Sequence, residues 1–395
     1  MDKRIFLDYA STTPISTECY KVMLDSLQNT YGNSSSLHSF GRDASAELEQ
    51  ARMKVAKAIN ASASEIYFTS GGSESNNWAL MGLARANKNK GNHIIVSAIE
   101  HHSVLETCKA LEKEGFVISY IPVDKFGKVK YKELVKLIRK ETILISVMTV
   151  NNEIGSIQPI KAIAELAKSY GILVHTDAVQ AIGTIEIDVK NIPVDALSMS
   201  AHKIYGPKGV GALYVKDGVK IEKLIHGGEH ERNMRAGTVN VPSIAGFGKA
   251  IELAKENQKE NAKYLLNLKK YFAKLLIEKV PHTIINGNSA ECVPNIMNIS
   301  FQNIDGDAVL MLLDLAGIAV STGAACASGV SKTSHVLEAM NTKRKMNSSI
   351  RVSFGTSTTK GDLDYVVQEL AKAVSNLRKL SPVKIKSAKG VKKNA

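Results

Sequence analysis

Apolar residues in the first 250 positions come in short runs rich in β-branched side chains, separated by stretches with helical spacing. In residues 160–170 apolar side chains recur three and four positions apart, and Gly171 follows as a helix-ending residue. Short runs bounded by turn residues are typical of buried strands. Six of them are at residues 65–69, 93–97, 142–147, 172–176, 196–200 and 211–215. Strands that alternate with helices favour a mainly parallel sheet covered on both faces, which is an α/β fold.

The pattern changes near residue 250, where the spacing predicts one long helix, rich in lysine and glutamate, over residues 245–279. Shorter strands are predicted at 295–301 and 350–354, and a last helix at 363–377. This organisation predicts three parts. They are a large domain over residues 15–255, a smaller α+β domain over 256–380 that includes 1–14, and a tail over 381–395.

Composition places the chain among ordinary globular proteins. Of its 395 residues 44% are hydrophobic and 23% are charged. No apolar run reaches the roughly 18–20 residues that cross a bilayer, so no membrane association is expected. The first residues lack the apolar core of a signal peptide, which makes the cytoplasm the expected compartment.

The four cysteines are scattered and form no C-x-x-C pair. A structural zinc site or a disulfide framework is therefore not predicted. Free thiols in a reducing compartment are the better interpretation, and one of them is a candidate nucleophile. The cysteines are Cys19, Cys108, Cys292 and Cys326.

The net charge of +13 raises the question of nucleic-acid binding. Part of the excess lies in the tail, which has five lysines and no acidic residue and is predicted to be disordered. An acidic protein partner or a weak RNA contact remains an alternative role for the tail. No aromatic residue stands between the lysines, so base stacking and direct nucleic-acid binding are not expected. The lysines are Lys384, Lys386, Lys389, Lys392 and Lys393.

The first segment with recognisable chemistry is Thr-Ser-Gly-Gly-Ser-Glu-Ser-Asn-Asn at residues 69–77, which follows a predicted strand and opens a helix. Gly72 lets the backbone approach an anion closely, and the Ser73 hydroxyl can bind a phosphate oxygen at the helix N-terminus. The alternative is a plain turn in which Ser73 or Ser75 caps the helix.

Two more strands end at candidate residues. Asp177 ends one, and a carboxylate at that place points into the ligand crevice of a parallel sheet, where it could keep a pyridinium nitrogen protonated. Lys203 follows the next strand, within Ser-Ala-His-Lys-Ile-Tyr-Gly-Pro-Lys-Gly, and is a candidate amine nucleophile. The alternatives are a capping aspartate and a surface lysine.

A histidine and a cysteine complete the candidates for chemistry. His101 follows the strand at 93–97 and could stack on a planar cofactor or transfer protons, although a structural histidine is an alternative. Cys326 stands in residues 321–331, which are small, polar and contain glycine, and this composition predicts a mobile loop with an accessible thiol.

A metal site is not predicted. His226 and His230 are four residues apart, a spacing that suits metal ligands on a helix, but two glycines between them argue against a helix. A loop that brings residues 235–238 towards an anion is the preferred interpretation.

Together these segments, with Asn-Asn-Glu-Ile-Gly at 151–155 and His-Gly-Gly-Glu-His-Glu-Arg at 226–232, resemble the cysteine desulfurases of the NifS/IscS type. These belong to the class V aminotransferase-like enzymes, which use pyridoxal 5'-phosphate (PLP). The resemblance extends from about residue 7 to residue 355. It implies the PLP-transferase fold, with a large PLP-binding domain and a small domain that carries the cysteine loop.

The resemblance also assigns cofactor contacts. Lys203 is similar to the lysine that holds PLP as a Schiff base, Asp177 to the acid paired with the pyridine nitrogen, and Gln180 to the partner of the phenolic oxygen. His101 corresponds to the ring that stacks on the cofactor and takes part in proton transfer. The residues similar to the phosphate cradle are Gly72, Ser73, Ser200 and His202.

The remaining assignments concern the substrate and a second subunit. Thr238 is similar to a phosphate ligand that the family supplies from the partner subunit, which implies a homodimer. Asn152 and Arg351 resemble the pair that binds the substrate carboxylate, and Asn152 also borders the cofactor. Cys326 is similar to the sulfur-accepting cysteine of the subgroup with a long, mobile loop, and could also ligate an Fe–S cluster transiently.

The expected activity is removal of sulfur from L-cysteine, giving L-alanine and a Cys326 persulfide that passes to an Fe–S scaffold or a tRNA-thiolation enzyme. The alternatives are a selenocysteine lyase or transaminase on the same fold, and a non-catalytic scaffold with a silent PLP site. Residues 329–334 and 33–36 depart from the family pattern, where Leu-Glu-Pro and Asn-Pro sequences are common.

Overall fold

The computed structural model describes residues 4–287, 291–302, 304–322, 334–340 and 349–380. Within these ranges the strands are β1 Ile5–Phe6, β2 Ile66–Thr69, β3 His93–Ser97, β4 Val117–Ile121, β5 Thr142–Ser146, β6 Leu173–Asp177, β7 Ala196–Ser200, β8 Gly211–Val215, β9 Thr283–Asn286, β10 Ile296–Phe301, β11 Ile318–Ala319 and β12 Ser349–Ser353. The helices are α1 Thr17–Asn29, α2 Ser39–Ala58, α3 Gly72–Ala86, α4 His102–Lys113, α5 Tyr131–Leu137, α6 Ile160–Ser169, α7 His230–Asn233, α8 Val241–Glu256, α9 Gln258–Lys279, α10 Gly306–Leu315, α11 His335–Ala339 and α12 Lys360–Leu380.

A mainly parallel sheet forms the centre of the first half of the chain. In the described residues it has seven strands in the order β2-β8-β7-β6-β5-β3-β4. The strands from β7 to β4 in this order run parallel, and β8 is antiparallel to both β7 and β2. The predicted α/β sheet is therefore confirmed.

The sequence pattern predicts the inner strands because their side chains are buried on both faces. Every residue of β3, β5, β7 and β8 is buried. The edge strand β4 is different, since only one of its five residues is buried, and the sequence pattern does not predict it. Strands buried on both faces need continuous apolar runs, whereas an edge strand does not.

The last third of the chain builds a second, smaller sheet. Strands β12, β10 and β9 are antiparallel in that order, and β1 pairs with β11. The core beside this sheet joins Ile5 and Leu7 from the N-terminus with Phe272, Phe301 and Phe354. The first residues thus pack with the last part of the chain, while the predicted domain boundaries stay a prediction. The tail at 381–395 lies outside the described residues.

The single helix predicted over 245–279 is two helices. Helix α8 ends at Glu256, α9 begins at Gln258, and the Asn257 N–H between them still donates to the Leu253 carbonyl at 3.0 Å. The hydrophobic pattern continues across this break, so it does not reveal the interruption. In the part of the chain that is described, no helix is long and apolar enough to cross a membrane.

Candidate active site

A cavity of about 320 Å³ lies at the carboxyl ends of the parallel strands. Loops that leave β3, β6 and β7 all reach this edge, which is where ligands bind in open α/β sheets. Nearly all of the residues predicted from the sequence border it. These are Gly72, Ser73, His101, Asn152, Asp177, Gln180, Ser200, His202, Lys203 and Arg351.

The amine of Lys203 lies in the wall of the cavity next to the N-terminal segment. Lys203 ends a short turn that follows β7, and its Nζ donates to the carbonyl oxygens of Ala10 at 2.6 Å and Ser11 at 2.7 Å. Gln180 donates its amide to the same Ala10 oxygen at 2.8 Å. Burial, and then the charge of Lys203, lower the pKa of His202 to about 4, so the His202 ring is neutral at neutral pH.

Asp177 is held at the end of β6 with both carboxylate oxygens bonded. Its Oδ2 accepts from Asn76 Nδ2 at 2.7 Å, and its Oδ1 accepts from the Val179 N–H at 2.9 Å. Asp177 is 5% exposed and borders the cavity. These two bonds orient the carboxylate, and a carboxylate held in this way suits a protonated ring nitrogen as its partner.

Hydrogen bonds fix the tautomer of His101. Its Nδ1 accepts from the Ser103 N–H at 3.1 Å and lies 2.8 Å from Ser103 Oγ. An accepting Nδ1 carries no proton, so in the neutral ring Nε2 carries it. Burial lowers the pKa of His101, and the neighbouring Lys203 lowers it further, which keeps the ring neutral at neutral pH.

Asn76 and Ser103 belong to the candidate site, although sequence reasoning does not assign them. Asn76 Nδ2 donates both to Asp177 and to Ser103 Oγ, the latter at 2.9 Å, and so joins the acid to His101. Asn76 stands inside the segment singled out at 69–77, and Ser103 lies two residues after His101. Their proximity in space was the signal that the sequence lacked.

The residues at the start of α3 form a cradle that suits an anion. A Cβ at Gly72 would lie 2.7 Å from Val179 Cγ2, so the backbone here is close to the neighbouring wall. Among the described atoms, the buried Ser200 Oγ has no hydrogen-bond partner. A hydroxyl that needs a partner lies beside a helix N-terminus, in a cavity that Asp177 also borders, and this fits a cofactor with a phosphate and a basic ring nitrogen.

Arg351 and Asn152 are adjacent, as expected for a carboxylate site. Arg351 is 5% exposed, and its Nη1 donates to the Asn152 carbonyl at 3.0 Å. Its Nη2 donates to Asp8 Oδ1 at 2.8 Å and to Ser11 Oγ at 2.6 Å. Within the described residues Arg351 Nε has no partner. Asp8, which sequence reasoning does not assign, therefore orients the guanidinium.

Two of the residues predicted from the sequence are not among the described residues that border the cavity. Thr238 is exposed and lies outside the residues that line it. Cys326 falls in 323–333, outside the described residues, but Thr322 and His335 on either side of that segment both border the cavity. In the described part of the chain no group of three or more His, Cys, Asp or Glu side chains could hold a metal ion.

The sequence is similar to known proteins over almost its whole length. The family model of the class-V aminotransferases matches residues 5–366. The cysteine desulfurase IscS of Dictyoglomus turgidum is 49% identical over 385 residues, which are 97% of this chain and 98% of that protein. The protein of the same name from Methanosarcina thermophila is 47% identical, over 97% of this chain and 95% of that protein.

Solved structures of similar proteins superpose on almost the whole chain. A NifS-like protein superposes with a TM-score of 0.89 at 39% identity and covers 95% of this chain and 100% of its own. The NifS-like protein of Rickettsia africae reaches 0.85 at 32% identity, over 94% of this chain and 100% of its own. A structure described as SspA in complex with cysteine reaches 0.80 at 34% identity, over 89% and 99%.

These similarities confirm the resemblance and the PLP-transferase fold predicted from the motifs. The family and its desulfurases depend on PLP, which the cradle, Asp177 and Lys203 fit. The chain belongs to the class-V aminotransferase family of PLP-dependent enzymes and, within it, to the IscS-type cysteine desulfurases.

Proposed function

We propose that this protein removes sulfur from L-cysteine and carries it as a persulfide on Cys326. The observation that carries the proposal is one cavity bordered by Lys203, Asp177 and Arg351, into which both ends of the cysteine-bearing segment lead, at Thr322 and His335. A transaminase needs the lysine, the acid and the arginine but has no use for the cysteine. The names of the relatives support the same choice.

The residues that would hold PLP follow from the site. Lys203 would bind it covalently, Asp177 and Gln180 would bind its ring atoms, and the cradle at Gly72 with Ser200 would bind its phosphate. When bound, PLP supplies a sink for the electrons that develop at the substrate α-carbon. The chain's own contribution is to bind, orient and move protons around that carbon.

Arg351 would bind the substrate carboxylate. Its guanidinium is already oriented by Asp8 and the Asn152 carbonyl, so little rotamer freedom is lost when the substrate arrives. The Arg351 Nε–H, which has no partner among the residues that the structure describes, is available for a charge-assisted bond. Lys203, once released from the cofactor, and His101 with its proton on Nε2 are the groups placed to move protons.

The sulfur transfer balances without an external oxidant. The Cys326 sulfur attacks the sulfur of cysteine, the carbon–sulfur bond breaks, and a sulfur–sulfur bond forms. The β-carbon that carried the sulfur takes a proton, and the product leaves as L-alanine. Cys326 keeps the sulfur as a persulfide. The reacting thiol must come within about 3.5 Å of the substrate sulfur, which the tethers at Thr322 and His335 favour.

The test replaces Cys326 with serine. We expect Cys326→Ser to lose sulfide release from cysteine in the presence of a reductant while the visible absorbance of bound PLP persists. Cys292→Ser is the matched control, because the Cys292 thiol donates to the Gly287 carbonyl, a bond that a hydroxyl can replace. Full sulfide release by Cys326→Ser would overturn the proposal. Formation of alanine from L-cysteine separates the proposed activity from a selenocysteine lyase, a transaminase or a silent scaffold.

We also propose that the enzyme is a homodimer in which Thr238 of one subunit completes the phosphate site of the other. Thr238 is exposed and away from its own cavity, which supports this arrangement. A group of exposed apolar side chains, in the segment between α1 and α2 and at the start of α2, offers a surface for a second subunit. Tyr31 is 71% exposed, Leu37 91% and Phe40 51%.

The proposed acceptor of the persulfide is an Fe–S scaffold or a tRNA-thiolation enzyme, reached in the cytoplasm. Cys19 and Cys108 are free thiols, which suits a reducing compartment. The tail at 381–395 is the proposed contact for an acidic partner. A pull-down of persulfide acceptors with the full chain and with a chain ending at residue 380 tests both ideas.

A further inference from the structure

The hydroxyl of Ser334 connects helix α11 to the wall of the cavity. Its Oγ accepts from the backbone N–H groups of Val336 at 3.2 Å and Leu337 at 3.3 Å, and so caps α11. The same oxygen donates its hydrogen to Glu153 Oε2 at 2.5 Å. A hydroxyl has one hydrogen and two lone pairs, so these three bonds use its full capacity.

Glu153 stands on the turn that also contacts the proposed substrate arginine. Glu153 is 3% exposed and borders the cavity, and its backbone N–H donates to Asn151 Oδ1 at 2.9 Å. The preceding residue, Asn152, gives its carbonyl to Arg351. Glu153 is therefore part of the cavity wall, and its carboxylate binds the N-cap residue of α11.

His335 gives α11 a second attachment to the same wall. Its Nε2 donates to the Glu100 carbonyl at 2.9 Å, and its ring centroid lies 5.0 Å from that of His102. Val336 and Leu337 add apolar contacts in the main core. Three separate kinds of contact thus hold a helix of five residues that could not be stable alone.

We propose that Glu153 is a positioning residue for the sulfur-accepting Cys326, acting through Ser334. This inference rests on the proposed function. Cys326 stands four residues after Thr322 and eight before Ser334. These lengths allow it roughly 14 Å and 29 Å of reach from the two ends. A thiol tethered at both ends has a higher effective concentration at the substrate than one tethered firmly at a single end.

The alternative is that Ser334 only caps α11, and four variants separate the two roles. Ser334→Thr keeps the cap and the donor. Ser334→Asp keeps a capping oxygen but replaces the hydroxyl donor with a second carboxyl group opposite Glu153. The double variant Glu153→Gln with Ser334→Asp restores a donor and acceptor pair with the roles exchanged, and Glu153→Ala removes the partner while leaving the cap intact.

The readout is single-turnover formation of persulfide from cysteine in the PLP-loaded enzyme. We expect Glu153→Ala and Ser334→Asp each to slow it by about tenfold, the effect of losing one buried side-chain hydrogen bond. The KM for cysteine and the PLP absorbance should change less than twofold. Ser334→Thr should keep most of the parent rate, and the exchanged double variant should regain most of it. Ser169→Ala, at an exposed serine, is the control for the removal of a serine hydroxyl.

A second readout does not depend on activity. Amide hydrogen exchange at Val336 and Leu337 should be faster in Glu153→Ala than in the parent, although the capping serine is still present. Unchanged exchange and unchanged persulfide formation in Glu153→Ala would overturn the inference, as would a parallel loss of PLP binding and stability. If the parent enzyme forms no persulfide, the proposed function fails, and the exchange experiment still reports on the attachment.

Discussion

At the residue scale, Ser103 determines which nitrogen of the His101 ring carries the proton. Ser103 presents its N–H to His101 Nδ1 and takes a hydrogen bond from Asn76, which is also bound to Asp177. Proton placement on the ring and orientation of the acid are therefore parts of one network. The motifs predict His101 and Asp177 individually, but which side chain bonds to which depends on distances between segments far apart in the chain.

Ser103→Ala should lower the rate of cysteine turnover. The hydroxyl helps to hold the His101 ring with its proton on Nε2, and loss of a single hydrogen bond of this kind costs about tenfold in rate. Steady-state kinetics across pH 6 to 9 measure the effect, with Ser169→Ala as a matched control, because the exposed Ser169 hydroxyl donates to the local Leu166 carbonyl. A kcat equal to that of the parent would show that the backbone N–H alone positions the ring.

Glu153 should make stability depend on pH. Burial raises the pKa of Glu153 to about 7 in the folded protein from its ordinary value of 4.5. The folded state keeps this proton while the unfolded state loses it, so the contribution is fully present below pH 4.5 and is lost as pH rises to 7. The loss amounts to roughly 3 kcal/mol.

Urea unfolding of the parent and of Glu153→Gln at several pH values measures this difference. The stability of the parent relative to the variant should fall as pH rises from about 4.5 to 7 and stay constant above it. A difference that does not change with pH in this window would contradict the raised pKa.

At the scale of elements, a strained turn leads into the segment that carries Thr238. Glu231, Arg232 and Asn233 in α7 all have positive φ angles, of 47°, 55° and 62°. Such values are uncommon for side chains other than glycine, so tertiary contacts must stabilise the turn. Glu231 supplies them, because its carboxylate binds the buried Arg52 guanidinium through two bonds of 2.7 Å.

Removing this buried pair should destabilise the fold strongly. Glu231→Ala removes the carboxylate that binds the buried Arg52 guanidinium through two bonds, and Arg52 keeps only its bonds to Glu49 at 3.0 Å and to the Ile66 carbonyl at 2.8 Å among the described residues. Loss of one partner of a buried pair costs about 3–5 kcal/mol, and the remaining Glu49 carboxylate places the expected cost at the lower end, about 3 kcal/mol. Glu114→Ala is the control, because its pair with Arg85 is 36% and 34% exposed and is worth less than about 1 kcal/mol. Fluorescence of the buried Trp78 during urea unfolding reports both values. Equal losses of unfolding free energy in Glu231→Ala and Glu114→Ala would show that burial of the ion pair does not add to its contribution.

The paired glycines at 227–228 predict a loop, and the sequence contains no sign of the left-handed turn that follows. Glu231, Arg232 and Asn233 have no common preference for positive φ. The turn exists because Arg52, from a distant helix, and the Phe68 N–H both bind Glu231.

At the scale of the whole molecule, the proposed dimer makes a prediction about mixed subunits. If Thr238 completes the site of the partner, a dimer of one Lys203→Ala subunit and one Thr238→Ala subunit contains one fully intact site. If Thr238 acts within its own subunit, neither site is intact. Mixing and reassociating the two inactive variants should therefore restore up to about half of the activity per mixed dimer.

The measurement is sulfide release after purification of the mixed dimer with two different affinity tags. Each variant reassociated with itself is the control for residual activity. Absence of any recovery, in a mixture shown to contain mixed dimers, would place Thr238 within its own subunit.

The order of motifs along the chain was enough to determine the α/β fold, the family, and the use of PLP. It was enough because strands buried on both faces need apolar runs and because catalytic groups recur at the ends of those strands. Only the tertiary structure decided that Asn76 joins Asp177 to His101, that Asp8 orients Arg351, and that Glu153 holds Ser334. Each of these bonds joins residues from segments distant in sequence, and no local pattern records such a distance.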